Sequence, residues 1–413
     1  EVDWLDDDRL VFRSEQDGWA HLYRVGADGS NPGQLTRGQY EVEAFRAVPA
    51  LGRVFVTCNR DDVDRRHIWS VGKGGEMTAV TSGASIEWSP VPSGNGRYLA
   101  HLGSDAVTPA HVYVRGIDTS GPTTKLAPEA LPDRFPSDLL VEPDPVVLES
   151  EDGWSVHAQL FRPPERFAGP RPAMMFFHGG PVRQMLLGFH YGHYYHRTYA
   201  MNQYLASRGY VVLAVNFRLG IGYGRRFREV PDGGPRGGSE YRDLLAGARF
   251  LRGLEGVDPG RIGLWGGSYG GLMTALGLAR NSDLFAAGVD LHGVHDWNQW
   301  QAWVTGEPND EDPTERASSP IANIEGWRSP VLLIHGDDDR NVPFSETKWL
   351  VERLDALDVD YELLVVPDDV HSFLLHRNWV RAFEAMSDFL DRTLAAGAGD
   401  AQGGMGTDGH PRE

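Results

Sequence analysis

One cysteine, three lysines and no apolar run long enough to cross a bilayer set the first limits on this chain of 413 residues. With Cys58 alone, an internal disulfide and a cysteine metal cluster are both excluded. Cys58 sits in the alternating stretch Arg53 to Cys58, which reads as a strand, so a half-buried structural thiol is expected rather than a nucleophile. No apolar stretch approaches the roughly 18 residues of a membrane span, so no membrane partner is expected. Positive charge is scarce too: 39 Lys and Arg against 58 Asp and Glu leave a net charge of −19. Such a surface repels nucleic acid and anionic lipid. The chain opens at Glu1 with neither methionine nor signal peptide; residues are expected to be missing before it, and a cytoplasmic location is the default expectation.

What is present begins with a repeat. His21 to Val25, His67 to Val71 and His111 to Val114 echo one another, with Tyr23, Trp69 and Tyr113 in register. Each is flanked by further short strand patterns. A four-strand unit recurring about every 45 residues is the mark of β-propeller blades. Residues 1–128 are therefore expected to form a partial propeller of about three blades, with an antiparallel sandwich as the alternative. Residues 129–145 read as a linker spaced by prolines, and 396–413, rich in Gly and Asp, as a disordered tail.

From residue 146 to 395 the pattern changes. A hairpin around Asp152-Gly153 leads into short apolar strands alternating with amphipathic helices, which predicts a doubly wound α/β sheet. Chemistry in such sheets gathers at the carboxyl ends of strands. Three of those ends hold candidates. Ile262 to Trp265 runs into Gly266-Gly267-Ser268-Tyr269-Gly270-Gly271, a strand, a glycine-flanked serine and a helix, as a nucleophile elbow requires. Val331 to Ile334 is followed by Asp337, Asp338 and Asp339, and Tyr361 to Val366 by His371. Serine, acid and histidine in that order suit a relay in which imidazole takes the hydroxyl proton and a carboxylate orients the imidazole. The Tyr269 amide, at a helix start, and an amide of His178-Gly179-Gly180 are candidates for an oxyanion hole. No cofactor and no metal is expected: His190, His193 and His196 are regularly spaced but stand among tyrosines without carboxylates.

His178-Gly179-Gly180-Pro181, Asn216-Phe217-Arg218 with Gly222-Tyr223-Gly224, Gly266 to Gly271, His335-Gly336-x-x-Asp339 and Pro367-Asp368-x-x-His371 together resemble the prolyl oligopeptidase family of serine peptidases. The resemblance implies an α/β-hydrolase domain behind a propeller, with Ser268 as nucleophile, Asp339 as orienting acid and His371 as general base. It implies Tyr269 and Gly180 as oxyanion donors, although some relatives place a tyrosine hydroxyl where His178 stands. Val294, Trp297 and Trp300 would line the pocket for the residue before the cleaved bond, and Asn341 would hold a substrate carbonyl. The Gly-Gly-Ser-Tyr-Gly-Gly elbow resembles the acylaminoacyl-peptidase and dipeptidyl-peptidase branches, implying cleavage of short peptides through an acyl-enzyme. Residues 1–128 hold no adjacent pair of glutamates to bind a free amine. A carboxylesterase with the same triad is the alternative, and a homo-oligomer is compatible with either.

Overall fold

The computed structural model describes residues 1–117, 121–167, 169–307 and 312–395. The expected disordered tail, 396–413, lies outside the described residues. No described helix is long and apolar enough to cross a membrane.

The amino-terminal repeat folds as three four-stranded antiparallel meanders. The first runs through Val2–Trp4, Arg9–Ser14, His21–Gly26 and Gly33–Gln34. The second uses Val42–Val48, Arg53–Cys58, His67–Gly72 and Met77–Ala79. The third uses Ile86–Pro92, Tyr98–Ser104, His111–Gly116 and Thr124–Lys125. In each, the echoed strand His21–Gly26, His67–Gly72 or His111–Gly116 is the third of the four, and the first two units share a core of Leu22, Val42, Phe45, Val54, Val56 and Trp69. These are three blades of a partial propeller. Cys58 is fully buried rather than half-buried, and burial pushes its thiol up to about 12, so it is inert.

The second domain is one eight-stranded sheet. Its strands are β1 (Asp144–Glu149), β2 (Ser155–Phe161), β3 (Arg171–Phe177), β4 (Val211–Val215), β5 (Val257–Gly267), β6 (Ala287–Leu291), β7 (Val331–Gly336) and β8 (Tyr361–Val366). Their spatial order is β1-β2-β4-β3-β5-β6-β7-β8, antiparallel at the β1-β2 hairpin and between β2 and β4, and parallel from β4 onward. Helices α1 (His193–Ser207), α2 (Tyr241–Gly253), α3 (Tyr269–Asn281), α4 (Trp297–Thr305), α5 (Ser345–Ala356) and α6 (His376–Leu390) accompany it. Covering both faces explains why the central strands are continuously apolar. Met175, Phe177, Leu213, Val215 and Leu264 point into one core, and Met174, Phe176, Val212, Ala214 and Trp265 into the other.

The blades dock on loops at the carboxyl end of this sheet. The Glu41 carboxylate accepts the amides of Gly222 and Gly224, both at 2.9 Å, and Asn59 donates to the Gly222 carbonyl at 2.8 Å. Arg66 reaches Gln184 at 2.7 Å, and Ser104 reaches the Phe189 carbonyl at 2.6 Å. Within the second domain, Arg218 just beyond β4 is buried against Asp243 of α2, which pins the loop after β4 to that helix.

Candidate active site

Strand β5 ends at Gly267, and Ser268 turns the chain into α3 with φ of 60° and ψ of −119°. The glycines are required by contact. A Cβ on Gly266 would lie 2.5 Å from the Phe177 carbonyl, and one on Gly270 only 2.0 Å from that same oxygen. No side chain fits between β5, α3 and β3 at this crossing. Ser268 is half-buried, and its amide donates to the Leu291 carbonyl of β6 at 2.8 Å. As the first residue of α3, Tyr269 has an amide with no carbonyl one turn earlier in the helix to accept it.

The loop after β7 carries the acids, and their environments separate them. Asp338 is exposed and pairs with Arg340, while Asp337 accepts the Asp368 amide at 2.7 Å. Asp339 has a fully buried side chain. One oxygen accepts the amides of Asn341 and Val342, at 2.8 and 3.0 Å; the other accepts from His371 Nδ1 at 2.6 Å and His335 Nε2 at 3.1 Å. Burial works against ionisation here, but hydrogen bonds from the two histidines and the amide outweigh it and hold the carboxyl well below the usual carboxylate range. The loop bearing His371 is itself braced by Asp369, which accepts the Leu374 amide and the Asn378 side chain.

Gly179 and Gly180 lie directly against the elbow. A Cβ on Gly179 would stand 2.7 Å from the Gly267 carbonyl, 3.1 Å from Ser268 Cβ and 3.4 Å from the Tyr195 hydroxyl. His178, by contrast, turns away. It is fully buried, stacks on Phe217 at 4.3 Å and is driven by burial down to about 4, so it is a neutral core residue.

Beyond the elbow, Tyr269 stacks on Phe217 at 5.8 Å and leans on Trp297 at 5.9 Å, and Trp297 meets Trp300 edge-on at 5.5 Å. Val294 and Trp297 are buried and Trp300 is half-buried, with its indole donating to the Asn341 carbonyl at 3.1 Å. The structure thus brings Tyr269, Trp297, Trp300 and Asn341 into one wall. The Tyr269 hydroxyl donates to Glu240, a buried carboxyl raised by desolvation that also accepts the Gly234 amide.

Two neighbours, His292 and Glu240, escaped sequence reasoning. His292, one residue past β6, packs against His371 with ring centroids 4.2 Å apart and planes tilted by 42°, and shares a 3.0 Å hydrogen bond with the Tyr194 hydroxyl. Tyr195 stands beside Gly179, and Glu240 behind Tyr269. The place of His292 at the carboxyl end of a central strand was the available signal. Among the described residues, His292, Asp339 and His371 are the group whose ligand atoms, within 4.8 Å of one another, could share a metal ion. His190, His193 and His196 diverge: His190 is buried against the Gln184 carbonyl, His193 is exposed, and His196 packs on Phe189.

Comparison with known proteins adds the lineage. Residues 196–397 match the prolyl oligopeptidase family, and residues 3–110 match the dipeptidyl peptidase IV N-terminal region. The chain is 30% identical over 313 residues to dipeptidyl aminopeptidase BIII of Pseudoxanthomonas mexicana, covering 70% of this chain and 43% of that protein. It is 28% identical over 406 residues to a probable dipeptidyl-aminopeptidase B of Aspergillus oryzae, covering 93% and 43%. It therefore spans less than half the length of these curated relatives. Among solved structures, a puromycin-hydrolyzing peptidase of Mycobacterium tuberculosis aligns with a TM-score of 0.80 at 24% identity, covering 95% of this chain and 61% of that one. Pyrococcus horikoshii acylaminoacyl peptidase aligns at 0.74 and 22%, covering 98% and 64%. At these identities the structural likeness speaks for the fold. The two family matches, over residues 196–397 and 3–110, carry the lineage: the chain belongs to the prolyl oligopeptidase family.

Proposed function

We propose that this chain is a serine peptidase that cleaves short peptides through an acyl-enzyme. His371 takes the Ser268 proton as the oxygen attacks the scissile carbonyl, and returns it to the leaving amine as the bond breaks. Water, deprotonated by the same imidazole, then releases the acyl group and restores Ser268. Asp339 holds His371 in the tautomer with its proton on Nδ1 and stabilises the imidazolium. Tyr269 and Gly180 supply the amides for the tetrahedral oxyanion. The side chain before the cleaved bond enters the wall of Val294, Trp297 and Trp300, closed by Tyr269, with Asn341 on a substrate carbonyl. Residues 1–128 form the lid, 129–145 the linker and 146–395 the catalytic domain.

The observation that carries this reading is the 2.6 Å hydrogen bond from His371 to an ionised, buried Asp339 whose other oxygen is held by two amides. A carboxylate so fixed orients the imidazole beside the nucleophile elbow. Relatives named dipeptidyl aminopeptidases favour release of dipeptides from a free amino terminus. The cleft near the elbow offers one acid for that amine, Glu43, already bonded to Arg66 and Tyr191.

Purified protein assayed side by side on dipeptidyl and N-acylated aminoacyl anilides and on matched esters tests the reading. Anilide turnover is expected. Ester turnover with no anilide turnover would replace the peptidase by a carboxylesterase, whose better leaving group demands less of the same relay.

A further inference from the structure

We propose that His292, Asp339 and His371 form a binding site for a zinc-class transition metal ion, and that filling it arrests the enzyme. The second half of that statement rests on the peptidase reading; the first does not. One nitrogen of each imidazole and one Asp339 oxygen already lie within 4.8 Å of one another. Ligands sharing a tetrahedral ion at about 2.0–2.2 Å need a slightly tighter cluster, which a modest rotation of His371 supplies. Its side chain keeps 14% of its surface open to solvent, so the ring has room to move and the ion a way in.

His292 is the telling residue. Its side chain is almost completely buried, its Nε2 shares a hydrogen bond with Tyr194, and its Nδ1 is buried with no hydrogen-bond partner. A polar atom left bare in a protein interior is costly, and a metal ion would satisfy it. The residue also holds φ at 43°, an uncommon left-handed conformation that histidine tolerates better than most residues. The conformation is fixed at both ends: the His292 amide donates to the Ile334 carbonyl of β7, and Tyr194 is braced edge-on by Trp379 of α6. Tyr194 is thus an outer partner that fixes a ligating ring, and Asp339 is fixed likewise by the amides of Asn341 and Val342 and by His335.

Donor chemistry selects the ion. Two imidazoles and one carboxylate suit zinc, nickel or copper, and discriminate against magnesium and calcium, which want an all-oxygen shell. An ion in this position takes His371 from its hydrogen bond with Asp339, so the imidazole can neither be oriented nor accept the serine proton. The site would therefore be inhibitory.

Equilibrium dialysis with zinc chloride, run on the wild-type chain and on Ser268→Ala, His292→Asn and Tyr194→Phe, tests this directly. Asparagine tolerates the left-handed conformation, so His292→Asn spares the backbone; circular dichroism checks each fold. Wild type and Ser268→Ala are expected to bind one ion per chain at micromolar concentration. His292→Asn should lose that binding, and Tyr194→Phe should weaken it about tenfold. In the peptidase assay zinc should inhibit wild type, reversibly with chelator, and inhibit His292→Asn at least tenfold less well. Equal zinc binding by wild type and folded His292→Asn would overturn the site, and full activity of wild type in millimolar zinc would overturn the arrest. One-to-one binding that depends on His292, in a chain that hydrolyses nothing, would keep the site and remove the peptidase.

Discussion

At the scale of single residues, the chemistry rests on Ser268 standing where no bulkier neighbour can. Ser268→Ala removes the attacking oxygen and leaves the elbow's backbone untouched, because alanine keeps the Cβ already accommodated there. Turnover of an anilide substrate is expected to fall by at least about 10³-fold, with the circular dichroism spectrum and unfolding midpoint unchanged. Activity within tenfold of wild type would remove Ser268 from the mechanism. The glycines at 266 and 270 were legible as elbow residues because the strain they relieve is local: β5 must reverse into α3 within one residue. Asp339 was marked apart from Asp337 and Asp338 by resemblance alone, through the spacing His335-Gly336-x-x-Asp339, since all three stand in one loop as short acids. Their separation comes from which carboxylate the turn folds inward to meet the amides of Asn341 and Val342.

At the scale of elements, α4 and α5 are tied through one buried acid. Glu346 of α5 accepts the amides of His295 and Asp296, at 2.7 and 3.1 Å, just before the helix that carries Trp297 and Trp300. Its second oxygen is buried without a partner, and desolvation raises the carboxyl to about 7. The sign follows from linkage. In the unfolded chain a glutamate ionises near about 4.3; between there and about 7 the folded protein holds the extra proton, so stability falls as pH rises through that window. Above it the cost is complete, of the order of 4 kcal/mol at most. Glu346→Gln keeps an oxygen for the two amides and carries no charge at any pH. Its unfolding midpoint is therefore expected to gain on wild type between pH 5 and pH 8.5, measured by denaturant titration; a constant difference across that range would show that Glu346 does not titrate there. Helix α4 itself was hidden in the sequence, because its tryptophans read as a pocket wall and its cap, Asp296 accepting the Asn298 amide, is a single residue.

At the scale of the molecule, the blades and the hydrolase domain meet over the loops that surround the elbow. Glu41 is the central fastener, with both oxygens occupied by the amides of Gly222 and Gly224. Glu41→Gln sets an amide donor against one of those N–H groups and leaves buried donors unsatisfied, at a cost of about 1–3 kcal/mol. Hydrogen exchange in residues 219–228 is expected to quicken by about tenfold or more, with the sheet of the second domain unaffected. Unchanged exchange in that loop would place the docking energy elsewhere. The blade repeat was legible because each four-strand unit repeats its own alternation. How the blades sit on the hydrolase domain was not, since Glu41, Arg66 and Ser104 look like any surface polar residues until the loops they grip are folded.

The sequence by itself determined what depends on neighbours along the chain: the alternation that makes strands, the continuous apolar runs that make a sheet covered on both faces, and the glycines that let the chain turn at residue 268. The tertiary structure alone decided which side chains from distant loops meet. Sheet order sets β6 beside β5 and β7, so His292 lies over His371, His178 turns into the core, and Tyr195 comes to stand at Gly179. Those meetings follow from the lateral stacking of strands far apart in sequence, a distance that no local pattern encodes.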